Sequence, residues 1–273
     1  MRPPHATRRR GFARRLAWFA VLGLCLASCA PPPPPGDIET LESTSRREAS
    51  ARERSLAALE TRLTVRLDGR ATGKLPALSV QARLATPDRA RLHARWFLGT
   101  LFDAALRGDT LLAWVPSERM SFRLPDLADS LGVDEPARFF GRTLAASWQA
   151  PHDAWQSAVT DSEGVHLAWS EQDASWRMRL DRAGRPRELT LTQDARSIVV
   201  GYPQWHGTGE HAWPQRIELA DGEGWVRARL DVENKFHAKH AHDSWFAMSL
   251  PEDVTPLELH DLKRMLARVR AAR

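Results

Sequence analysis

The chain is poor in cysteine, with only Cys25 and Cys29 among 273 residues, both close to the front. A disulfide framework is therefore excluded for everything downstream, and the remaining roughly 200 residues must bury an apolar core large enough to fold without one. Tyrosine is scarcer still, with Tyr202 alone. Long hydrophobic runs are also missing, since the apolar stretch at residues 16–26 is too short to span a bilayer. No internal repeat recurs at a fixed period, and low complexity is confined to one run of prolines. Neither a serine elbow nor a glycine-rich nucleotide fingerprint is present, so no catalytic residue is assigned.

An excess of charge of one sign is lacking too, once the front of the chain is set apart. Arg2, Arg8, Arg9, Arg10, Arg14 and Arg15 precede the apolar run without one acid among them. Removing these six arginines takes the formal charge from +5 to −1, so nucleic acid loses its electrostatic basis as a partner. Local basic runs remain at Arg46-Arg47 and residues 263–273, and each reads as a solvated helix face.

What is present at the front is a basic segment, a short apolar segment and then Leu26-Ala27-Ser28-Cys29. This is the layout of a secretory leader, and the four residues resemble the lipobox of bacterial lipoproteins. The resemblance implies a signal peptide over residues 1–28, cleavage before Cys29, and acylation of that cysteine on its thiol and new amino terminus. Cys25 would be discarded with the leader. Arg9-Arg10-Gly11-Phe12 faintly resembles a twin-arginine signal, but Arg8 stands where serine or threonine is usual, and general secretion is expected. Ala30 is not the aspartate associated with inner-membrane retention, which by the same resemblance implies delivery to the outer membrane, facing the periplasm.

Five prolines at 31–35 follow, and their fixed φ favours an extended spacer, so residues 29–37 read as a lipid-anchored stalk. Residues 38–62 are rich in Glu, Arg, Ala and Leu, with Leu56, Leu59 and Leu63 at helical spacing, and predict one amphipathic helix. Beyond it the period becomes two. Leu63, Val65 and Leu67 alternate with polar neighbours, as do residues 78–84, 92–96, 100–106 and 111–115, with Arg107-Gly108-Asp109 as a turn. The alternation breaks at Pro125, where residues 126–131 and 136–148 predict short helices, and resumes from Val165 to a last expected strand at residues 245–250.

The count is about eleven strands in one domain, residues 38–254. Thr255-Pro256-Leu257-Glu258 has capping-box spacing and opens an expected C-terminal helix over residues 255–273, with Leu259, Leu262, Met265, Leu266 and Val269 as its stripe. The fold class expected is mainly β: an unclosed antiparallel half-barrel with a helical lid, an N-terminal helix and an extra C-terminal helix. A concave sheet face incompletely covered by helices would leave an apolar cavity.

Two stretches resemble the LolB family of outer-membrane lipoprotein receptors, and more loosely the LolA/LolB-like fold. Phe97-Leu98-Gly99-Thr100 with Leu106-Arg107-Gly108-Asp109 resembles the family's Pro-Leu-Gly turn and next strand, with Phe97 in place of the proline. Residues 212–222, Ala-Trp-Pro-Gln-Arg-Ile-Glu-Leu-Ala-Asp-Gly, resemble its later strand and turn. The resemblance implies binding of lipid or lipoprotein acyl chains, an outer-membrane anchor, a LolA-like periplasmic carrier as partner, a monomer, no cofactor and no enzymatic activity. It also makes Leu98 the leucine that projects into solvent and assists transfer. Trp96, Phe97 and Leu98 form an apolar run before a glycine turn, which suits a tip touching something greasy. Trp96 and Leu98 also suit one buried face of a strand.

Candidate cavity-lining residues are Trp114, Phe139, Phe140, Leu144, Trp169 and Trp225, because wide rings suit acyl chains. His237, His240, His242 and His260 form the one grouping with a metal-like look. No cysteine joins them and Asp243 is the near carboxylate, so a solvated turn is expected and no metal is assigned.

Overall fold

A computed structural model describes residues 38–251, 254 and 257, apart from 70–75, 97–98, 132, 134, 152–154, 162–163, 172, 195, 225 and 238–239. The leader, Cys29 and the proline stalk lie outside the described residues, as does all of the expected C-terminal helix except Leu257.

The chain opens with helix α1 (Ile38–Ser55), passes through a 3-10 turn at Leu56–Ala58 and enters the sheet. Six strands follow: β1 (Leu59–Asp68), β2 (Leu78–Ala85), β3 (Arg89–Trp96), β4 (Gly99–Arg107), β5 (Thr110–Val115) and β6 (Met120–Leu124). Helices α2 (Leu127–Leu131) and α3 (Pro136–Ala145) interrupt them. The second run is β7 (Trp155–Thr160), β8 (Gly164–Glu171), β9 (Ala174–Asp181), β10 (Pro186–Gln193), β11 (Arg196–His206), β12 (Trp213–Asp221) and β13 (Arg227–His237). All thirteen belong to one sheet in the order β6-β5-β4-β3-β2-β1-β13-β12-β11-β10-β9-β8-β7, every pairing antiparallel. β6 and β7 are the two edges and do not pair, so the barrel is unclosed, and the α2–α3 insertion connects one edge to the other.

The register shows how alternation makes a core. Leu63 pairs with Val80, Val80 with Ala94 and Ala94 with Phe102, placing an apolar row on one face. On the other half, Leu167 pairs with Met178, Met178 with Leu189 and Leu189 with Val200. Both rows belong to or pack against one cluster with Leu41 near the start of α1, Leu56 in the 3-10 turn that follows it, and Ala137, Leu144 and Ala145 of α3. The helices therefore cover the concave face. Gly141 of α3 permits their close fit, since a Cβ there would stand 3.2 Å from Leu56 Cδ1 and 3.1 Å from Thr86 Cγ2.

The two meanders meet where β1 pairs with β13. On the outer face of this seam Arg66 of β1, Arg216 of β12 and Arg229 of β13 all donate to the Asp231 carboxylate. Burial pushes this carboxyl up, but the three arginine bonds outweigh it and hold Asp231 below the ordinary carboxylate value. A group depressed in the folded state contributes stability above its unfolded pKa, about 3.9, and loses it as pH falls through the lower folded value. Asp231→Asn is thus expected to lower the melting temperature at pH 7, and the gap from the parent should close as both are acidified through the depressed folded-state value of Asp231. Thermal melts across pH check this.

The expected helix over residues 38–62 ends earlier, because Leu59 and Leu63 belong to β1. A spacing of four puts two residues on one face of a helix and also on one face of a strand. The expected strand over residues 245–250 is instead a 3-10 turn at Asp243–Trp245 followed by irregular chain. β13 already has β1 and β12 on its two sides, so no ladder position was free beside it. The segment crosses the outer face of the first meander. Arg83 lies over the Trp245 ring at 5.6 Å, Arg89 over Phe246 at 4.9 Å, and Arg91 donates to the carbonyls of Trp245 and Ala247 at 3.3 and 2.6 Å. Leu257 then forms a parallel bridge with Phe122 at the β6 edge, rather than the first turn of a helix.

Candidate functional site: the concave face and its helical cover

α3 begins with Pro136 at its first turn and stops at Ala146, whose φ of 49° and N–H bond to the Arg142 carbonyl close the helix. This stop carries the next residues inward: Ser147 is fully buried and Trp148 is 6% exposed. The Trp148 ring meets Phe139 edge-on at 5.1 Å and Trp176 of β9 at 5.3 Å. Trp176 in turn stacks on Trp169 of β8 at 5.8 Å with the planes 3° apart. Four aromatic rings thus run from the cover onto the sheet. Beside α1 a small void of about 10 Å3 lies between Trp148, Ser45, Leu167, Met178 and Leu180.

Polar ties fasten the cover. Trp148 Nε1 donates to the Tyr202 hydroxyl at 3.1 Å, and that hydroxyl donates to the Thr143 carbonyl at 3.1 Å. Complete burial pushes the Tyr202 phenol well above its ordinary pKa, so it remains a donor. From α1, Arg52 Nη2 reaches the Ala146 carbonyl at 3.1 Å, while Glu53 binds Arg142 Nε at 3.1 Å and Ser147 Oγ at 2.8 Å.

The buried face of α1 is not apolar throughout. Ser45, Glu48 and Arg52 are buried on it at 5%, 5% and 1% exposure. Arg52 and Glu48 face each other at 3.6 Å, and Arg52 sits 5.1 Å over the Trp205 ring. Burial pushes the Arg52 guanidinium below its ordinary value, and Glu48 pulls it partly back. Hydrogen bonding at this seam is incomplete: Glu48 Oε2, Arg52 Nε and Nη1, Trp169 Nε1 and Trp205 Nε1 are buried without a hydrogen-bond partner. Each such group costs on the order of 1–3 kcal/mol in the closed arrangement.

The sequence-derived candidates divide. Phe139, Phe140, Leu144 and Trp169 belong to or pack against the concave cluster. Trp114 does not. It pairs with Asp103 and Ser121, one residue out of step with the inward Ala113, and therefore faces the outer side of the sheet. Trp225, Phe97 and Leu98 lie outside the described residues, as does the side chain of Trp96, whose backbone ends β3. His240 and His242 are exposed, His260 and the His237 side chain are outside the description, and no metal-holding group of three or more His, Cys, Asp or Glu occurs among the described residues. Trp148, Trp176, Tyr202, Arg52 and Glu53 were not singled out from the sequence. Trp176 carried a signal as an apolar position in an alternating strand, and Trp148 as an apolar residue of the helix expected over residues 136–148.

One arrangement on the outer face has the look of a hydroxyl–imidazole–carboxylate relay. Thr100 Oγ1 lies 3.4 Å from His93 Nε2, and His93 Nδ1 lies 3.6 Å from Asp103 Oδ2. The second distance is too long for a hydrogen bond, and Asp103 is already gripped by Arg91 at 2.9 and 2.6 Å. That bond is the main reason the Arg91 pKa is raised. Asp103 is thus committed to holding Arg91 rather than to orienting His93.

The outer face also carries an open cleft of about 480 Å3. Ala105, Leu112, Phe246 and Met248 give it apolar walls, and Arg107 and Arg123 stand at its margin.

No family model matches the chain, and no curated protein matches it. Among solved structures it is similar to a LolA superfamily protein from Nitrosomonas europaea, with a TM-score of 0.49 and 10% identity over 75% of this chain and 97% of that one. A putative outer-membrane lipoprotein-sorting protein domain from Vibrio parahaemolyticus is similar with a TM-score of 0.46 and 8% identity over 74% and 94% of the two chains. The lipoprotein LppX from Mycobacterium tuberculosis follows with a TM-score of 0.32 and 11% identity over 76% and 100%.

Proposed function

We propose that the protein is a non-enzymatic, lipid-anchored envelope lipoprotein that binds lipid or the acyl chains of other lipoproteins on the concave face of its half-barrel. The observation that carries this reading is the seam between cover and sheet. A helix that serves only to complete a core buries an apolar stripe, whereas α1 buries Ser45, Glu48 and Arg52 beside Leu41 and Ala49, with Arg52 over the Trp205 ring. Several polar atoms there lack partners. Parting α1 and α3 from the sheet would give these atoms water as a partner, which offsets part of the cost of uncovering Trp148, Trp176 and Trp169. An acyl chain then takes the place of the cover against those rings.

The sequence supports the setting. The leader and Cys29 suit acylation, and three acyl chains exceed the two signals that stable anchoring needs. The proline stalk would hold the half-barrel off the outer membrane on its periplasmic side. A LolB-like role, receiving lipoproteins from a periplasmic carrier, is the specific form of this reading. Depletion of the protein should then leave lipoproteins mislocalised, as should Cys29→Ala. Correct sorting without the protein would overturn the receptor role. Leu98→Glu is expected to abolish transfer while leaving the melting temperature unchanged, since a charge at a membrane-touching tip is costly only on contact with the greasy partner. A large loss of stability would instead make Leu98 a core residue.

A second reading is favoured by the packing itself. Trp148, Trp176 and Trp169 fill the concave face, which suits an envelope scaffold that uses the fold without binding lipid. In that case acyl chains leave the fluorescence of these rings unchanged.

A further inference from the structure

The outer cleft takes no part in the reading above, and its chemistry differs from that of the concave face. Most arginines near it are committed: Arg89 to Asp243 at 2.6 Å and Arg91 to Asp103 at 2.6 Å. Arg107 and Arg123 are exposed and have no ion-pair partner among the described residues, and none of the described residues lining the cleft is an acid. They come from β4 and β6, with Thr110 and Leu112 of β5 between them, so their backbones stand roughly 10 Å apart. Behind this cationic margin lie Ala105, Leu112, Phe246 and Met248. The crossing segment supplies the last two and is clamped in place by Arg83, Arg89 and Arg91. The volume of about 480 Å3 falls within the range of small-molecule sites.

Two free cations over an apolar wall match an anion joined to a hydrocarbon chain. We propose that this cleft binds an anionic membrane phospholipid, with the headgroup phosphate between Arg107 and Arg123 and part of an acyl chain along Leu112, Phe246 and Met248. The site lies on the opposite side of the sheet from the aromatic cluster, so it gives the half-barrel a lipid contact that persists while the helical cover is closed. Arginine serves here because its planar fork holds phosphate oxygens in pairs.

The test uses the mature full-length chain and phosphatidylcholine vesicles doped with phosphatidylglycerol that carries a photoactivatable acyl chain. Cross-linked peptides are then mapped by mass spectrometry. Label is expected on peptides containing Leu112 and on those containing Phe246 and Met248, displaced by unlabelled phosphatidylglycerol and not by phosphatidylcholine. The double variant Arg107→Glu/Arg123→Glu should lose at least about tenfold of it, given roughly 1 kcal/mol per arginine near an anionic surface and reversal of both charges. Its melting temperature should be unchanged because both side chains are exposed.

Absence of label at the cleft, label insensitive to the charge reversal, or equal competition by phosphatidylcholine overturns the proposal. Equal competition by glycerol 3-phosphate also overturns it, by making the site one for a free anion. A rise in label after removal of residues 258–273 overturns it as well, since the chain's own end would then be the occupant. Label on peptides containing Trp148, Trp169 or Trp176 reports separately on the concave face, so either reading can fail alone.

Discussion

Trp176→Ala should destabilise the domain by about 3–5 kcal/mol, the range for removing a buried aromatic side chain from a packed core. Trp176 is 9% exposed and is the ring that touches both Trp148 and Trp169, so its loss separates the cover from the sheet wall. The rings on either side are held by other contacts, Trp148 by Tyr202 and Trp169 by its place in β8, so the space cannot collapse fully. The variant should also gain an apolar cavity on the concave face and bind hydrophobic probes that the parent excludes. Trp114→Ala is the control. Its ring lies on the outer face beside Ser121 and Asp103, and its removal should cost well under half as much. Denaturant unfolding of the two variants compares them directly.

Arg52→Ala should cost a similar amount, about 3–5 kcal/mol, for a different reason. The Glu48 carboxylate, on a residue 5% exposed, would be left with no cation facing it, and the Ala146 carbonyl at the end of α3 would lose its donor. Replacing both partners with apolar residues of similar size, as in Glu48→Leu/Arg52→Met, removes the stranded charge and should restore most of the loss. Recovery in the double variant identifies the pair as a device that ties α1 to the cover rather than as a source of net stability. Chemical denaturation of Glu48→Leu, Arg52→Met and the double variant completes the cycle.

Much of the sheet was legible because its inward and outward residues alternate. Leu63 and Val65, Leu78 and Val80, and Leu189 and Leu191 each announce a half-buried strand. Where both faces are apolar the face could not be read. β5 runs Thr-Leu-Leu-Ala-Trp-Val, and nothing local says whether Trp114 or Ala113 turns inward. Pairing with Asp103 and Ser121 decides it, and that is long-range information.

Two strands, β6 and β7, are missing from the expected set: Met120, Phe122 and Leu124 of β6 do alternate with Ser121 and Arg123 but over five residues only, and β7, Trp-Gln-Ser-Ala-Val-Thr, does not keep a strict alternation. Conversely the apolar Trp-Phe-Ala-Met-Ser-Leu at residues 245–250 resembles a strand, yet β13 before it already has both neighbours and the segment lies under arginines instead. The candidate site was the least legible part. Nothing near Glu48 and Arg52 in sequence shows that this i,i+4 pair is buried or that Arg52 lies over Trp205. Trp148 reads as the last residue of a helix. The left-handed turn at Ala146, an unusual conformation for alanine, aims it inward.

The account's central claim is that the helical cover yields to an acyl chain. Its most direct measurement is tryptophan fluorescence of the mature chain titrated with a phospholipid whose acyl chain carries bromine, a contact quencher. Two samples are compared, one free and one with α1 tied to the connection between β11 and β12 by a short bifunctional reagent through cysteines placed at Arg47 and Glu210, exposed side chains that meet at 3.6 Å. The account predicts saturable quenching in the free protein, reduced in Trp148→Phe and Trp176→Phe, and abolished by the cross-link. Quenching that is absent, or that persists unchanged with the cover locked, would contradict it.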